Sequence, residues 1–195
     1  MWKRSEFLSN MEGSKMKRLQ IGVIGSAADL KYGKELEKLA ERVGEFIAEK
    51  NCILVFGAEK DYDSLSTAAC RGAKRKGGIT VGITYNKGKK IFQKDVDIII
   101  STGMDRGGGR EFVLVLSCDA IIAISGGSGT LTEMAMAYQA DIPIVAIENT
   151  GGWTDRLANR FIDERNRQKV YGVKTPEEAV ELAIKLGREY QKKYG

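Results

Sequence analysis

Short runs of consecutive apolar residues alternate along the chain with stretches in which apolar positions return every three or four residues. The runs occupy 19–24, 52–56, 79–84, 96–101, 120–124, 142–147 and, more weakly marked, 170–173. Most are unbroken by polar positions, the pattern of strands covered by helices on both faces. Between the first two runs Leu36, Leu39, Ala40, Val43, Phe46 and Ile47 form one stripe of a helix ending near Asn51. A second helix is predicted over 64–76, with Asp63 as its N-cap and Gly77-Gly78 as its stop. Thr175-Pro176-Glu177-Glu178 opens a closing helix with a capping box and a proline at its first position. Its buried face continues through Leu182, Ala183, Leu186 and Tyr190. Strands alternating with helices predict an α/β fold, a Rossmann-like three-layer α/β/α arrangement on a mainly parallel sheet of about seven strands.

Two segments do not declare themselves. Phe112–Leu116 is uniformly apolar, and periodicity cannot separate a buried helical turn from a strand there. The lysine-rich link Tyr85–Asp95 shows no helix, and reads as the place where the chain crosses back to the far side of strand one. That topology orders the strands 3-2-1-4-5 and onward, and opens the ligand crevice beyond the carboxyl ends of strands one and four.

Length and composition narrow the function classes. A chain of 195 residues suits one domain, taken as residues 18–195, behind a basic, poorly ordered tail over 1–17. With no histidine there is no imidazole base, no Ser-His-Asp triad and no histidine metal ligand. Cys52, Cys70 and Cys118 are too scattered for a paired metal motif, so no metal centre and no obligatory cofactor are expected. Three cysteines in a chain with no secretory signal pattern fit a reducing, cytoplasmic setting, and no apolar run approaches the ~20 residues that span a bilayer. The net charge of +5 includes clusters at 74–76 and at Lys87, Lys89 and Lys90. These read as solvated surface rather than a phosphate track, and nucleic acid is not an expected partner. Glycine, at 23 residues, is in excess, and the excess falls in loops.

Three of those loops follow strands. Gly25-Ser26-Ala27-Ala28-Asp29 after strand one lets backbone N–H groups approach a ligand, without the G-x-G-x-x-G spacing of a dinucleotide site. The bland alternative is a tight turn with no ligand. Gly103–Glu111 after strand four carries Arg106 and Arg110 around three glycines, which offers forked donors to phosphate or carboxylate. Its bland alternative is a mobile loop with an Arg110–Glu111 surface pair. The strongest signal is Ser125-Gly126-Gly127-Ser128-Gly129-Thr130-Leu131-Thr132-Glu133, a glycine run delivered by a strand into a helix. Helix starts present unpaired N–H groups and partial positive charge, so this one is suited to phosphate, with hydroxyls from Ser128 and Thr130. No P-loop lysine follows. Thr130-x-x-Glu133 also matches a capping box; against that, Glu133 beside a bound anion is better placed for a sugar than for structure.

At these residues the chain resembles the Lonely Guy family, once known as lysine decarboxylase-like. The carriers are the GGSGTLTE segment and Arg110, sixteen residues before Gly126. The resemblance runs along most of 19–147, including Gly25-Ser26 and Asp119. It implies cleavage of the N-glycosidic bond of nucleoside 5′-monophosphates, with Arg110 and Glu133 as the catalytic pair. Gly126, Gly127, Ser128, Gly129 and Thr130 would hold phosphate, and the molecule would be a homo-oligomer. Ser125 replaces the family's proline, Gly107-Gly108 its methionine-histidine pair, and Gly57–Asp63 has a single glycine where a glycine-rich segment is expected. These departures resemble a sister branch of molybdenum-cofactor carrier-like proteins and relatives of DNA-processing protein A. The open alternatives are therefore a nucleotide N-glycosidase and a non-catalytic carrier or sensor of a molybdopterin-type ligand or nucleotide. A DNA-associated role is the weakest reading.

Overall fold

The computed structural model describes residues 17–195; the expected tail lies outside the described residues except for Lys17. Seven strands form a single parallel sheet: β1 (Gln20–Gly25), β2 (Ile53–Gly57), β3 (Ile79–Thr84), β4 (Ile98–Ser101), β5 (Ala120–Ile124), β6 (Ile144–Ile147) and β7 (Val170–Val173). Six helices cover it: α1 (Lys34–Glu49), α2 (Leu65–Arg75), α3 (Gly109–Leu116), α4 (Ser128–Gln139), α5 (Gly152–Leu157) and α6 (Pro176–Tyr194). The apolar stripes of α1, α2 and α6 pack on one face, around Ile21, Val23, Leu54, Phe56 and Ile122. Helices α3 and α4 close the other face, over Ile24, Val55, Ile121 and Ala123. Burial on both faces explains the unbroken apolar runs of the central strands. No helix among the described residues is long and apolar enough to cross a membrane.

The predicted strand order needs correction: the sheet runs β4-β3-β2-β1-β5-β6-β7. The link after β3 contains no helix, so nothing carries the chain across to the far side of β1; it returns beside β3 instead. Asp97 fixes that return by accepting hydrogen bonds from the Thr80 backbone N–H and hydroxyl. β4 is thus an edge strand with Ile98 and Ile100 exposed. The reversal comes one strand later, through α3, and places β5 beside β1 with Gly25 opposite Ile124. The crevice accordingly opens beyond the carboxyl ends of β1 and β5, not β1 and β4.

Three local expectations resolve as well. Phe112–Leu116 is helical, within α3. The N-cap of α2 is Ser64, one residue later than predicted, and its hydroxyl accepts from the Thr67 N–H. The capping box at the start of α6 forms between Thr175 and Glu178.

Candidate functional site

The topology brings the β1 and β5 loops together at the top of the sheet. Ser26 joins them: its hydroxyl donates to Ser125 Oγ (3.1 Å) and accepts from the Gly126 N–H (2.9 Å). The glycine loop is pinned from its other side by the β6–α5 segment. The Ser125 N–H donates to Thr150 Oγ1, the Ser125 carbonyl accepts from the Thr154 backbone and hydroxyl, and the Gly126 carbonyl accepts from the Trp153 N–H. Gly126 turns at φ +104°, and a Cβ there would lie 2.4 Å from the Thr130 side chain. Only glycine satisfies both conditions. Ser26 and Gly126 therefore shape the loop from behind, while Gly127, Ser128, Gly129 and Thr130 present its front.

Helix α4 starts at Ser128 with Gly127 as N-cap and no side-chain cap. Thr130 is thus already inside the helix, and the capping-box reading of Thr130 and Glu133 does not hold. The leading N–H groups have no side-chain partner, and Ser128 and Gly129 are exposed. They face a cleft of about 420 Å³ that Gly25, Gly57, Glu59, Arg110 and Glu133 also line. That is the size range of small-molecule sites.

The deep end of the cleft is a set of buried ionisable groups. Arg110, near the start of α3, is 5% exposed; its Nη2 lies 3.1 Å from Glu59 Oε1 and 3.1 Å from Glu111 Oε1. The guanidinium lies against Gly57 at the end of β2, where a Cβ would come within 1.9 Å of Nη1. Glu111 also accepts from the Gly107 and Gly108 N–H groups through Oε2, which fixes the entry to α3. The Arg110–Glu111 pair exists, but it is buried rather than a surface pair. Glu133 projects from the second turn of α4, 7% exposed, and makes no side-chain hydrogen bond among the described residues. Burial pushes its carboxyl up to about 8; Arg110 opposes the shift, and Glu111 and Glu59 reinforce it. A carboxyl raised to about 8 favours its protonated form at neutral pH.

Of the residues singled out in the sequence, Gly25, Arg110, Gly127, Ser128, Gly129, Thr130 and Glu133 converge on this cleft. Sequence reasoning passed over Gly57, Glu59 and Glu111 as members of it. Glu59 had one available signal, its place just past the carboxyl end of a strand neighbouring β1. Its partner Arg110 is 51 residues away, which no local pattern connects. No group of three or more His, Cys, Asp or Glu residues among the described residues is arranged to hold a metal ion.

Comparison with known proteins gives the same picture of the fold. The model of the SLOG cluster4 family matches residues 18–180. An uncharacterized protein of Archaeoglobus fulgidus is 41% identical over 124 residues, 64% of this chain and 76% of that one. The molybdenum cofactor binding protein of Rippkaea orientalis superposes with TM-score 0.74 at 28% identity, covering 88% of this chain and 99% of that one. The molybdenum cofactor carrier protein of Chlamydomonas reinhardtii gives 0.72 at 27% identity, covering 87% and 98%. DNA processing protein A from Helicobacter pylori, at TM-score 0.65 and 14% identity over 86% and 80% of the chains, shares the fold.

Proposed function

This chain belongs to the SLOG cluster4 family, and from that premise we propose that its cleft holds a nucleotide or phosphorylated ribose. The observation that carries the reading is the uncapped start of α4 opening onto the same cleft as buried Arg110 and Glu133. Phosphate takes the N–H groups of Ser128, Gly129 and Thr130, where the helix dipole favours an anion. Arg110 is not the phosphate's counter-ion, because Glu59 and Glu111 already neutralise it.

The chemistry this arrangement supports is hydrolysis of the N-glycosidic bond of a nucleoside 5′-monophosphate. Glu133, held neutral by burial, gives its proton to the base nitrogen as the C1′–N electron pair leaves with the base. The resulting carboxylate then faces an oxocarbenium-like ribosyl group and takes a proton from the water that attacks C1′. Because the negative charge appears together with the positive one, the stabilisation is larger in the transition state than in the ground state. The products are free base and ribose 5-phosphate.

One observation favours a second reading, a non-catalytic carrier or sensor of a molybdopterin-type ligand or nucleotide. Arg110 is held by two carboxylates and is not free to assist a departing base, and two of the structural neighbours are a molybdenum cofactor binding protein and a molybdenum cofactor carrier protein. Incubation with a panel of nucleoside 5′-monophosphates separates the two. Free base that disappears in Glu133→Gln supports hydrolysis; tight binding with no base release, retained in that variant, supports the carrier.

Self-association is part of the same proposal. Phe112 and Leu116 of α3 are 52% and 60% exposed, and with Ala135 and Met136 of α4 they line an apolar groove that contains no charged residue. An exposed apolar surface of this kind suits contact with a second copy of the chain.

A further inference from the structure

Glu59 is a buried carboxylate of the cleft with one oxygen left unused. It is 6% exposed, lies just past the end of β2, and gives one oxygen, Oε1, to Arg110 Nη2. Its other oxygen, Oε2, is buried and accepts no hydrogen bond; the Arg106 Nε stands 3.7 Å from it. Arg106 is itself 44% exposed and lies over the Tyr62 ring, so it can turn aside without disturbing the core. A buried acceptor left without a donor costs free energy that a ligand donor recovers on binding.

The charges of the cleft indicate what that donor belongs to. The α4 end is cationic by virtue of its N–H groups, whereas the other end sets Glu59 and Glu111 around the buried Arg110 and leaves Glu59 Oε2 without a hydrogen-bond donor, the exposed Arg106 standing 3.7 Å away. A ligand filling both ends is anionic at one and rich in N–H donors at the other. With Oε2 free and a second lone pair on Oε1 beside Arg110, the carboxylate edge matches two adjacent donors, a ring N–H and an exocyclic amine. Adenine lacks such a pair, and hypoxanthine has only the ring N–H.

We propose that Glu59 is the specificity-determining residue of the cleft, and that it reads the paired N–H and amino donors of an amino-oxo-pyrimidine edge, as in guanine or a pterin. The proposal rests on the phosphate reading above, since it places the phosphate of the same ligand on α4. Neither the conversion of the ligand nor its release enters the argument, so it applies to a hydrolase and to a carrier alike.

Calorimetric titration of the full chain with GMP, IMP, AMP, dihydroneopterin monophosphate and ribose 5-phosphate tests it. GMP, the pterin monophosphate or both bind at least tenfold more tightly than IMP and AMP, and the better of the two identifies the source of the edge. In Glu59→Gln, which keeps an oxygen for Arg110 but turns a donor toward the ligand, that preference disappears while ribose 5-phosphate binds as before. Equal affinity for all the base-bearing ligands, with ribose 5-phosphate still bound, overturns the role of Glu59 and leaves the phosphate reading intact. Failure of every ligand, ribose 5-phosphate included, overturns both. The ranking on the unaltered protein needs no variant, so a poorly folding Glu59→Gln cannot obscure the result.

Discussion

Glu133 ties the chemistry of the cleft to the stability of the fold. Its carboxyl titrates near 8 in the folded protein, because it is buried, against an ordinary value of 4.5. A raised acid binds its proton more tightly folded than unfolded, so its contribution is fully present below the unfolded value and lost as pH rises through the folded one. Thermal unfolding of the ligand-free protein should therefore show Tm falling from about pH 5 to above pH 8 relative to Glu133→Gln, which has no proton to lose. Parallel curves for the two proteins would mean that Glu133 is ionised in the fold. Gly57 is the second residue on which the site turns. In Gly57→Ala the methyl group occupies the place of Arg110 Nη1, so the guanidinium must leave Glu59. The expected result is a loss of about 1–3 kcal/mol by chemical denaturation, together with loss of discrimination among nucleotides. An unchanged midpoint and unchanged binding would show that the guanidinium has room to spare. Arg110 and Glu133 were legible in the sequence because they flank recognisable glycine loops. Gly57 and Glu59 were not, because their importance arises only when α3 lays Arg110 across the end of β2.

At the scale of elements, the contact between α1 and α2 is the closest helix packing that the glycines allow. A Cβ on Gly44 would lie 1.8 Å from the Ala69 carbonyl, and one on Gly72 would lie 1.8 Å from the Glu41 carbonyl. Backbone has replaced side chain on both sides of the crossing. Gly72→Ala forces the helices apart, with an expected loss of about 1–3 kcal/mol by denaturant unfolding; a change within a few tenths would show that α2 can shift freely. Across the top of this contact Arg71 reaches Glu37, Glu41 and Asp63 at once. Asp63, predicted as the cap of α2, is instead an anchor for that arginine, and the neighbouring Ser64 takes the cap. The strands and amphipathic helices could be read in advance because two-faced burial and 3.6-residue periodicity leave direct marks on the chain. Where β4 goes could not be. Its position depends on Asp97 finding Thr80 and on the absence of a crossover helix, and neither is a property of the β4 residues themselves.

At the scale of the whole molecule, the one-strand displacement of the crossover decides which loops meet. Because β5 rather than β4 lies beside β1, the glycine run after β5 faces the Gly25 loop directly, joined to it by Ser26. The Arg110 segment enters from the side on α3 and meets Glu59 from β2. The outer surface of α3 is left with Phe112 and Leu116 exposed, beside the partly buried Met136 of α4. If that groove is where two copies meet, sedimentation at micromolar concentration shows a species larger than one chain, and Phe112→Glu returns it to the monomer. A monomeric unaltered protein at all concentrations would contradict the assignment.

Phosphate held at the start of α4 is read directly by amide NMR. On titration with a nucleoside 5′-monophosphate, the N–H resonances of Ser128, Gly129 and Thr130 should shift together and saturate, while the corresponding nucleoside leaves them unmoved. Saturable shifts confined to other residues, or equal shifts with and without the phosphate, would contradict it.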